Sequence, residues 1–425
     1  MSNVSEEVRV YGYRWAVLLV FGLIFMIGQA MWLTFSLIRA EVTPVLGLAA
    51  DDQTIVLLTA SQPLAFIVLS LPIGILADRK GLIVVAGMGA ILQTLFGALR
   101  IFLITDFWMI LVCQLGLSAG SVMVQDCITY LSVKWFPRNE RALATGFSTL
   151  FMILGMLLGT TLSLLLWTAP MYGTPGYTVG LAQANVVNIL YIYAILAVIL
   201  TVLFFAVARD KPKHPPDVPE AISEKRPAKT MLKDRNVWII SFGFFVGFSI
   251  FIGLTGILET LLPSLGIPVT AGFGNLVFVE VSLLIFGLVG ALGLSALSDF
   301  VHKRKPFLIV ATFVGAIMTY VVGTSTAVGI TILAAGVLGF FLVSVMPIAL
   351  STLEEFKSVG PQLSGASAGL AFWFGNLGAF LGLLILESLR VGGSYFYSIL
   401  YLVVTLLIAS ALVATIPETG KREKS

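Results

Sequence analysis

The sequence predicts an all-α membrane protein of twelve transmembrane helices, arranged as two six-helix bundles with pseudo-two-fold symmetry. Three observations predict it. Hydrophobic residues make up 58% of the 425-residue chain and charged residues only 11%, about half the charge of an ordinary soluble domain. Apolar runs of the roughly 20 residues needed to cross a bilayer recur along the whole chain. The basic residues fall on alternate loops, as an even number of spans requires.

The runs are 14–38, 54–77, 82–104, 107–136, 142–167, 187–208, 237–262, 276–298, 306–326, 328–353, 362–389 and 395–416. With the N-terminus in the cytoplasm, all but three of the 25 Lys and Arg lie on that side. The segment after the sixth run alone carries Arg209, Lys211, Lys213, Lys225, Arg226, Lys229, Lys233 and Arg235. Arg39, Arg100 and Arg390 are the exceptions, at or near the outside. The positive-inside rule thus predicts a multi-pass protein of the cell membrane with both termini cytoplasmic. The first run reads as a span and not as a cleaved signal, because no small-residue cleavage site follows it.

Composition also narrows the chemistry. Cys113 and Cys127 share one apolar run and read as small packing residues. His214 and His302 sit in polar loops, so no metal centre and no cofactor are expected. A net charge of +3 gives no reason to expect nucleic acid. There is no phosphate-binding glycine loop, and no His accompanies a Ser or Cys inside the spans. No catalytic residue is expected, and the chain reads as a non-enzyme.

Segment 209–236, rich in Pro, Lys and Glu, reads as a cytoplasmic linker between an N-terminal bundle, 1–208, and a C-terminal bundle, 237–425. The two halves repeat. Gly146, Gly155 and Gly159 recur as Gly369, Gly378 and Gly382, each 223 positions on, and Asp78 recurs as Asp299. The pairs Gly155/Gly159 and Gly378/Gly382 have the spacing of closely packed membrane helices. Parallel six-span repeats of this kind hold their substrate between the halves, near the midplane.

The most specific motif is Gly74-Ile75-Leu76-Ala77-Asp78-Arg79-Lys80-Gly81, with Ser295 to Asp299 and Lys303-Arg304-Lys305 as its counterpart. Glycine allows close helix approach, an aspartate at a helix end can face a neighbouring N-terminus, and the cations hold the cytoplasmic side. Gly74, Asp78, Arg79, Gly81, Asp299 and Arg304 are read as a conformational latch. The motif resembles the signature loop between spans 2 and 3 of the major facilitator superfamily. Here Leu82 and Ile83 follow, where that family often has further basic residues. The resemblance implies a carrier whose two bundles rock against each other. No proline follows the span-5 glycines, so the antiporter-type signature is not matched.

A narrower resemblance rests on Tyr13-Arg14-Trp15, Val17 to Phe21, Gln29-Ala30-Met31-Trp32, Gly339-Phe340-Phe341, Pro347, Glu354, Glu355, Pro361 and the span-11 glycines. These stretches resemble the feline leukaemia virus subgroup C receptor family, which is linked to haem export and to uptake of choline-like amines. The resemblance implies a choline site made of an aromatic cage and a few amides. Trp32 matches the family's span-1 tryptophan, and Asn376 stands at its span-11 glutamine. The span-7 tyrosine falls near Ile250 and the span-4 glutamine near Ser121, so half of that cage is missing. Gln125 lies one helical turn from Ser121.

Individual residues allow more than one reading. Trp32 is either an interfacial anchor or a cavity-lining ring that would hold a cationic amine. Asp126, about ten residues inside span 4, is either a proton-coupling or cation-binding carboxylate or a structural pair, because a charge at that depth costs roughly 2.5–3.5 kcal/mol. Glu259, Glu280 and Arg100, near span ends, either snorkel and pair with one another or form an outer gate. Gln62 and Gln114 read as path-lining, and Gln93 equally as a helix–helix hydrogen bond. The expected site is Trp32, Gln29, Gln62, Ser121, Gln125, Asp126, Asn376 and Trp373. The expected function is secondary active or facilitative transport of a small organic solute, such as a cationic amine or metabolite, driven by protons, another ion or the substrate's own gradient. The alternatives are a drug or metabolite exporter of the same superfamily, or a receptor that keeps the carrier fold. The carrier is expected to work as a monomer in the lipid bilayer.

Overall fold

The computed structural model describes residues 10–49, 52–214, 216, 228–269 and 274–420. The side chains of Asp78, Arg138, Asn139, Ala142, Thr149, Gly360, Pro361 and Gln362 also lie outside the described residues. Among the described residues, 12 helices are long and apolar enough to cross a membrane. They are α1 (Arg14–Trp32), α2 (Val56–Lys80), α3 (Leu82–Leu103), α4 (Phe107–Trp135), α5 (Arg138–Leu157), α6 (Val179–Val207), α7 (Arg235–Ser264), α8 (Asn275–Val301), α9 (Lys305–Thr324), α10 (Val328–Glu355), α11 (Gly360–Ser388) and α12 (Phe396–Val413).

Local chemistry starts several of them. Asp106 accepts from the backbone N–H of Trp108 and Met109 at the head of α4. Thr178 does the same for Leu181 in α6, and Asp234 for Asn236 in α7. Each such cap satisfies an N–H group that the helix itself leaves open.

The chain divides into two compact units, Met1–Ala221 and Ile222–Ser425. The division falls within the stretch read as the linker, of which 215 and 217–227 lie outside the described residues and Ala228–Leu232 forms a short helix. Inside the first unit α1 packs on α5 and α6, α2 on α4, and α3 on α4 and α6. Inside the second, α7 packs on α11 and α12, α8 on α10, and α9 on α10 and α12. The six-helix arrangement is therefore used twice.

The recurring glycines explain two of these pairings, α1 on α5 and α7 on α11. A Cβ on Gly155 would stand 2.3 Å from the Met26 carbonyl oxygen of α1, and one on Gly378 would stand 2.0 Å from the Phe245 carbonyl oxygen of α7. Gly159 is closed by the Ala30 backbone, and Gly382 first by the Ser249 hydroxyl. Gly146 and Gly369 face open space. Two of the three repeated glycines thus bring backbones together, as the small-residue spacing implied.

The first span differs from its sequence reading of 14–38. Helix α1 stops at Trp32, and the short helix Arg39–Val42 follows after a turn. Its final carbonyls go to side chains from other helices: Arg100 Nη1 donates to Met31 O at 2.9 Å, and Gln114 Nε2 donates to Trp32 O at 2.7 Å. The Thr34 hydroxyl donates to Met31 O at 2.9 Å. Helix ends leave four carbonyls open, and inside a bilayer these must be satisfied internally.

The loops at the ends of α3 and α9 are capped in the same manner. Asp210, just after α6, accepts from the Leu82 N–H at 2.6 Å and from the Tyr130 hydroxyl at 3.1 Å. Glu418, just after α12, accepts from the backbone N–H groups of Arg304 and Lys305 at 2.7 and 3.2 Å. In each unit, a carboxylate that follows the last helix returns to the N-terminus of the third. Asp210→Ala is expected to cost about 1 kcal/mol, the usual worth of an N-cap, read as a lower thermal midpoint of the detergent-purified protein, with Asp210→Asn close to wild type.

Candidate functional site

Four of the expected site residues meet inside the first unit. Gln29 Nε2 of α1 donates to the Ser121 hydroxyl of α4 at 3.3 Å, and Gln62 Nε2 of α2 donates to Gln29 Oε1 at 3.1 Å. Beside them, the hydroxyls of Ser61 and Ser118 are 2.9 Å apart. Trp32 closes the group: its indole N–H donates to the Thr59 carbonyl at 2.9 Å, and only 5% of the residue is exposed. Trp32 is therefore packed inside the unit and is not an interfacial anchor facing lipid headgroups. Gln29, Gln62 and Ser121 are buried and already bonded to one another, so they hold three helices in register.

Below this network on α4 stand Gln125 and Asp126, both half-buried. Ser121 and Asp126 are five residues apart, about 7.5 Å along the helix. One carboxylate oxygen of Asp126, Oδ2, is buried with no hydrogen-bond partner. The structural-pair reading of Asp126 thus finds no partner for that oxygen among the described residues.

Arg100 corrects a sequence reading. It is fully buried, so it does not snorkel. Besides Met31 O it donates to Gln114 Oε1 at 3.2 Å, and its guanidinium lies 5.4 Å from the Phe35 ring centre. These partners cap the C-terminus of α1, where a cation also favours the helix dipole. Gln93 donates to the Ile24 carbonyl of α1 at 2.9 Å, which is the helix–helix bond expected of it. Gln114 holds the Trp32 carbonyl and so does not line a path with its amide nitrogen.

In the second unit, Asn376 of α11 is buried and donates to Phe372 O of its own helix at 3.0 Å. Trp373 is half-buried, with its ring edge-on to Phe374 at 5.3 Å. Sequence reasoning missed the aromatic group beside them: the Phe244 ring lies 5.5 Å from that of Phe372, and the Phe248 ring lies 6.1 Å from that of Phe244 and 6.2 Å from that of Phe372. The available signal was phenylalanine at 244 and 248, one helical turn apart, and at 372, one turn before Asn376. Glu259 and Glu280 are 4% and 0% exposed. Both residues are buried, so the snorkelling reading fails for them as well.

The latch residues divide. Gly81 has φ +82°, and a Cβ there would stand 2.1 Å from Asp210 Oδ1, so both its backbone and its lack of a side chain are required. Gly74 faces open space and Arg79 is exposed. The Asp78 side chain lies outside the described residues. In the second unit, Arg304 pairs with Asp299 and, at 3.0 Å, with Glu355.

The segment after α1 contains a further titratable group. Glu41 is 2% exposed, its Oε2 has no hydrogen-bond partner, and the Tyr177 hydroxyl donates to its backbone carbonyl at 3.0 Å. Burial pushes its carboxyl up from 4.5 to about 7, against smaller lowering by backbone N–H groups. The folded form then holds a proton that the unfolded chain has released, so stability falls as pH rises. The contribution is complete below pH 4.5 and lost as pH passes about 7. Thermal midpoints recorded across that range should decline for wild type and flatten for Glu41→Gln.

Residues 16–383 match the profile of the Major Facilitator Superfamily. The chain belongs to that superfamily. Across its whole length this major facilitator protein is 24% identical to the choline/ethanolamine transporter flvcr2a of Danio rerio, covering 90% of that protein. It is 24% identical over 85% of its length to the choline/ethanolamine transporter FLVCR2 of Homo sapiens, covering 69% of it. An uncharacterized protein of Archaeoglobus fulgidus is 30% identical over 53% of this chain and 94% of its own length. The narrower family resemblance drawn from the sequence matches these relatives. The fold is similar to a crystal structure of a bacterial homologue of the human lysosomal transporter Spinster, inward-facing and unoccupied, with TM-score 0.76, 14% identity, and 95% and 97% of the two chains covered. The major facilitator chain is a multi-pass membrane transporter.

Proposed function

We propose that this transporter carries a small cationic amine, of the choline or ethanolamine type, across the cell membrane by alternating access. The observation that carries the reading is the full-length relationship to proteins named as choline/ethanolamine transporters. The chemistry of the unassigned polar groups supports it. Asp126 offers a carboxylate with a buried, unsatisfied oxygen, and burying such a group without a partner is costly. An ammonium group would compensate it: ethanolamine through its N–H donors, choline through the charge of its quaternary nitrogen. In the first unit Gln125 is assigned to the solute beside Asp126; in the second, Asn376 and Trp373 are a separate candidate group, where the rings of Phe248 and Phe372 would add cation–π attraction, about 0.5–2 kcal/mol per ring. Gln29, Gln62, Ser121 and Trp32 shape the wall through their mutual bonds.

The protein acts as a monomer with both termini in the cytoplasm, where the basic loops lie. The residues capped by Asp210 and Glu418, together with Arg304, Asp299 and Glu355, serve as latches at that face.

A ligand screen by thermal shift tests the substrate class. Ligand at a hundred times its dissociation constant stabilises the folded state by about 2.7 kcal/mol. Choline and ethanolamine are expected to raise the midpoint, and the neutral choline isostere 3,3-dimethylbutan-1-ol is not. Equal shifts from the isostere and from unrelated apolar compounds would favour the exporter reading.

A further inference from the structure

The second unit contains a carboxylate that the amine reading leaves unused. Glu280 lies on the sixth residue of α8, and none of it is exposed. Neither of its oxygens has a hydrogen-bond partner by geometry, although the Thr255 hydroxyl of α7 faces it. Thr255 is itself 1% exposed. One turn along α7 from Thr255 is Glu259, an acid and not a counter-ion. Helix α10, the main packing partner of α8, has only Glu354 and Glu355 as titratable groups, and both lie at its last turn. Asp299, the other acid on α8, is near the opposite end of that helix. Beside Glu280 on α8 are the buried apolar residues Leu276, Val277, Val279, Leu283 and Leu284.

A bare carboxylate in this setting is prohibitively placed. Three ligands remove its charge: an ammonium group, a metal cation or a proton. None of Glu280 is exposed, which leaves no space beside it for an organic ammonium. A hard cation takes about six or more oxygen ligands, and the groups facing Glu280 supply one hydroxyl. A proton needs the carboxylate alone. We infer that Glu280 is a proton-carrying site that couples the transport cycle to the pH gradient. The step is simple: the Glu280 carboxylate takes a proton from hydronium, leaving water, in the form where the site is reached from one side. It returns that proton to water in the form reached from the other side. Asp126, in the other unit, remains the group assigned to the amine. The inference rests on the transport reading for its role in coupling, but its proton-binding part stands alone.

Two measurements on the full chain in liposomes separate them. Infrared difference spectra on a pH jump are expected to show a protonated-carboxyl C=O band in wild type that Glu280→Gln removes. With radiolabelled choline as the probe, a pH gradient of one unit is expected to change the steady-state ratio by up to about tenfold, the limit for one proton per cycle. Glu280→Gln should lose that response and flatten the pH profile of the initial rate. A pH profile in the variant parallel to wild type would overturn the inference, as would choline flux in wild type indifferent to the gradient. A sodium-dependent thermal shift that Glu280→Gln abolishes would overturn it in favour of a metal cation. If choline and ethanolamine show no flux at all, the substrate reading fails, and the infrared band alone decides for or against proton binding.

Discussion

Gly155→Val and Gly378→Val are each expected to prevent recovery of folded transporter, while Gly146→Ala and Gly369→Ala leave it intact. The first pair press helices α5 and α11 against the backbones of α1 and α7, with a Cβ 2.3 and 2.0 Å from a carbonyl oxygen. Neither obstacle is a side chain that can rotate, so whole helices must part. Overpacking of this kind costs about 1–3 kcal/mol for a modest insertion, and a backbone clash in the central pairing of a bundle exceeds that. Alanine at the same positions should lower the thermal midpoint measurably. Gly382→Ala is expected to be milder than Gly378→Ala, because its nearest obstacle is the Ser249 hydroxyl. At Gly146 and Gly369 the added methyl enters open space, and alanine improves helix propensity by up to about 1 kcal/mol. Size-exclusion profiles and thermal midpoints of these variants check the series.

Asp126→Asn is expected to weaken choline binding about ten- to a hundredfold, because it removes the charge–charge attraction to the quaternary ammonium, about 4 kcal/mol at 4 Å and an effective dielectric constant near 20 before desolvation is subtracted, while the protein folds normally. The asymmetry follows from the carboxylate's surroundings. Its buried Oδ2 has no partner among the described residues, so the amide removes a charge without breaking a bond at that oxygen. Gln29→Ala should behave in the opposite sense. It leaves Gln62 Nε2 and the Ser121 hydroxyl without their partner and lowers stability by about 1–3 kcal/mol. Equilibrium binding of radiolabelled choline and thermal midpoints, measured on both variants, separate recognition from support.

The membrane fold was legible because its signal is long-range and redundant. Twelve apolar runs, alternate-loop cations and a shared glycine interval all agree, and each reflects a physical demand of the bilayer. The glycine interval even located two close backbone contacts, α1 against α5 and α7 against α11. What was not legible was the pairing of polar groups across helices. Gln29, Gln62 and Ser121 read individually as solute ligands, yet geometry turns them toward one another. Arg100 reads as a cation near a span end, but α1 stops early and Arg100 takes its free carbonyl. Asp210 and Glu418 sit in ordinary-looking polar segments, and only the fold shows that they cap α3 and α9. The aromatic group of Phe244, Phe248 and Phe372 drew no notice in a chain with 30 phenylalanines.

The central claim is amine transport by this major facilitator chain. Counterflow in proteoliposomes tests it most directly: vesicles loaded with unlabelled choline receive a trace of labelled choline outside. The account predicts transient, saturable accumulation of label that ethanolamine suppresses and Asp126→Asn weakens. Choline that binds the purified protein but shows no counterflow would contradict it, leaving a receptor with the fold of a carrier.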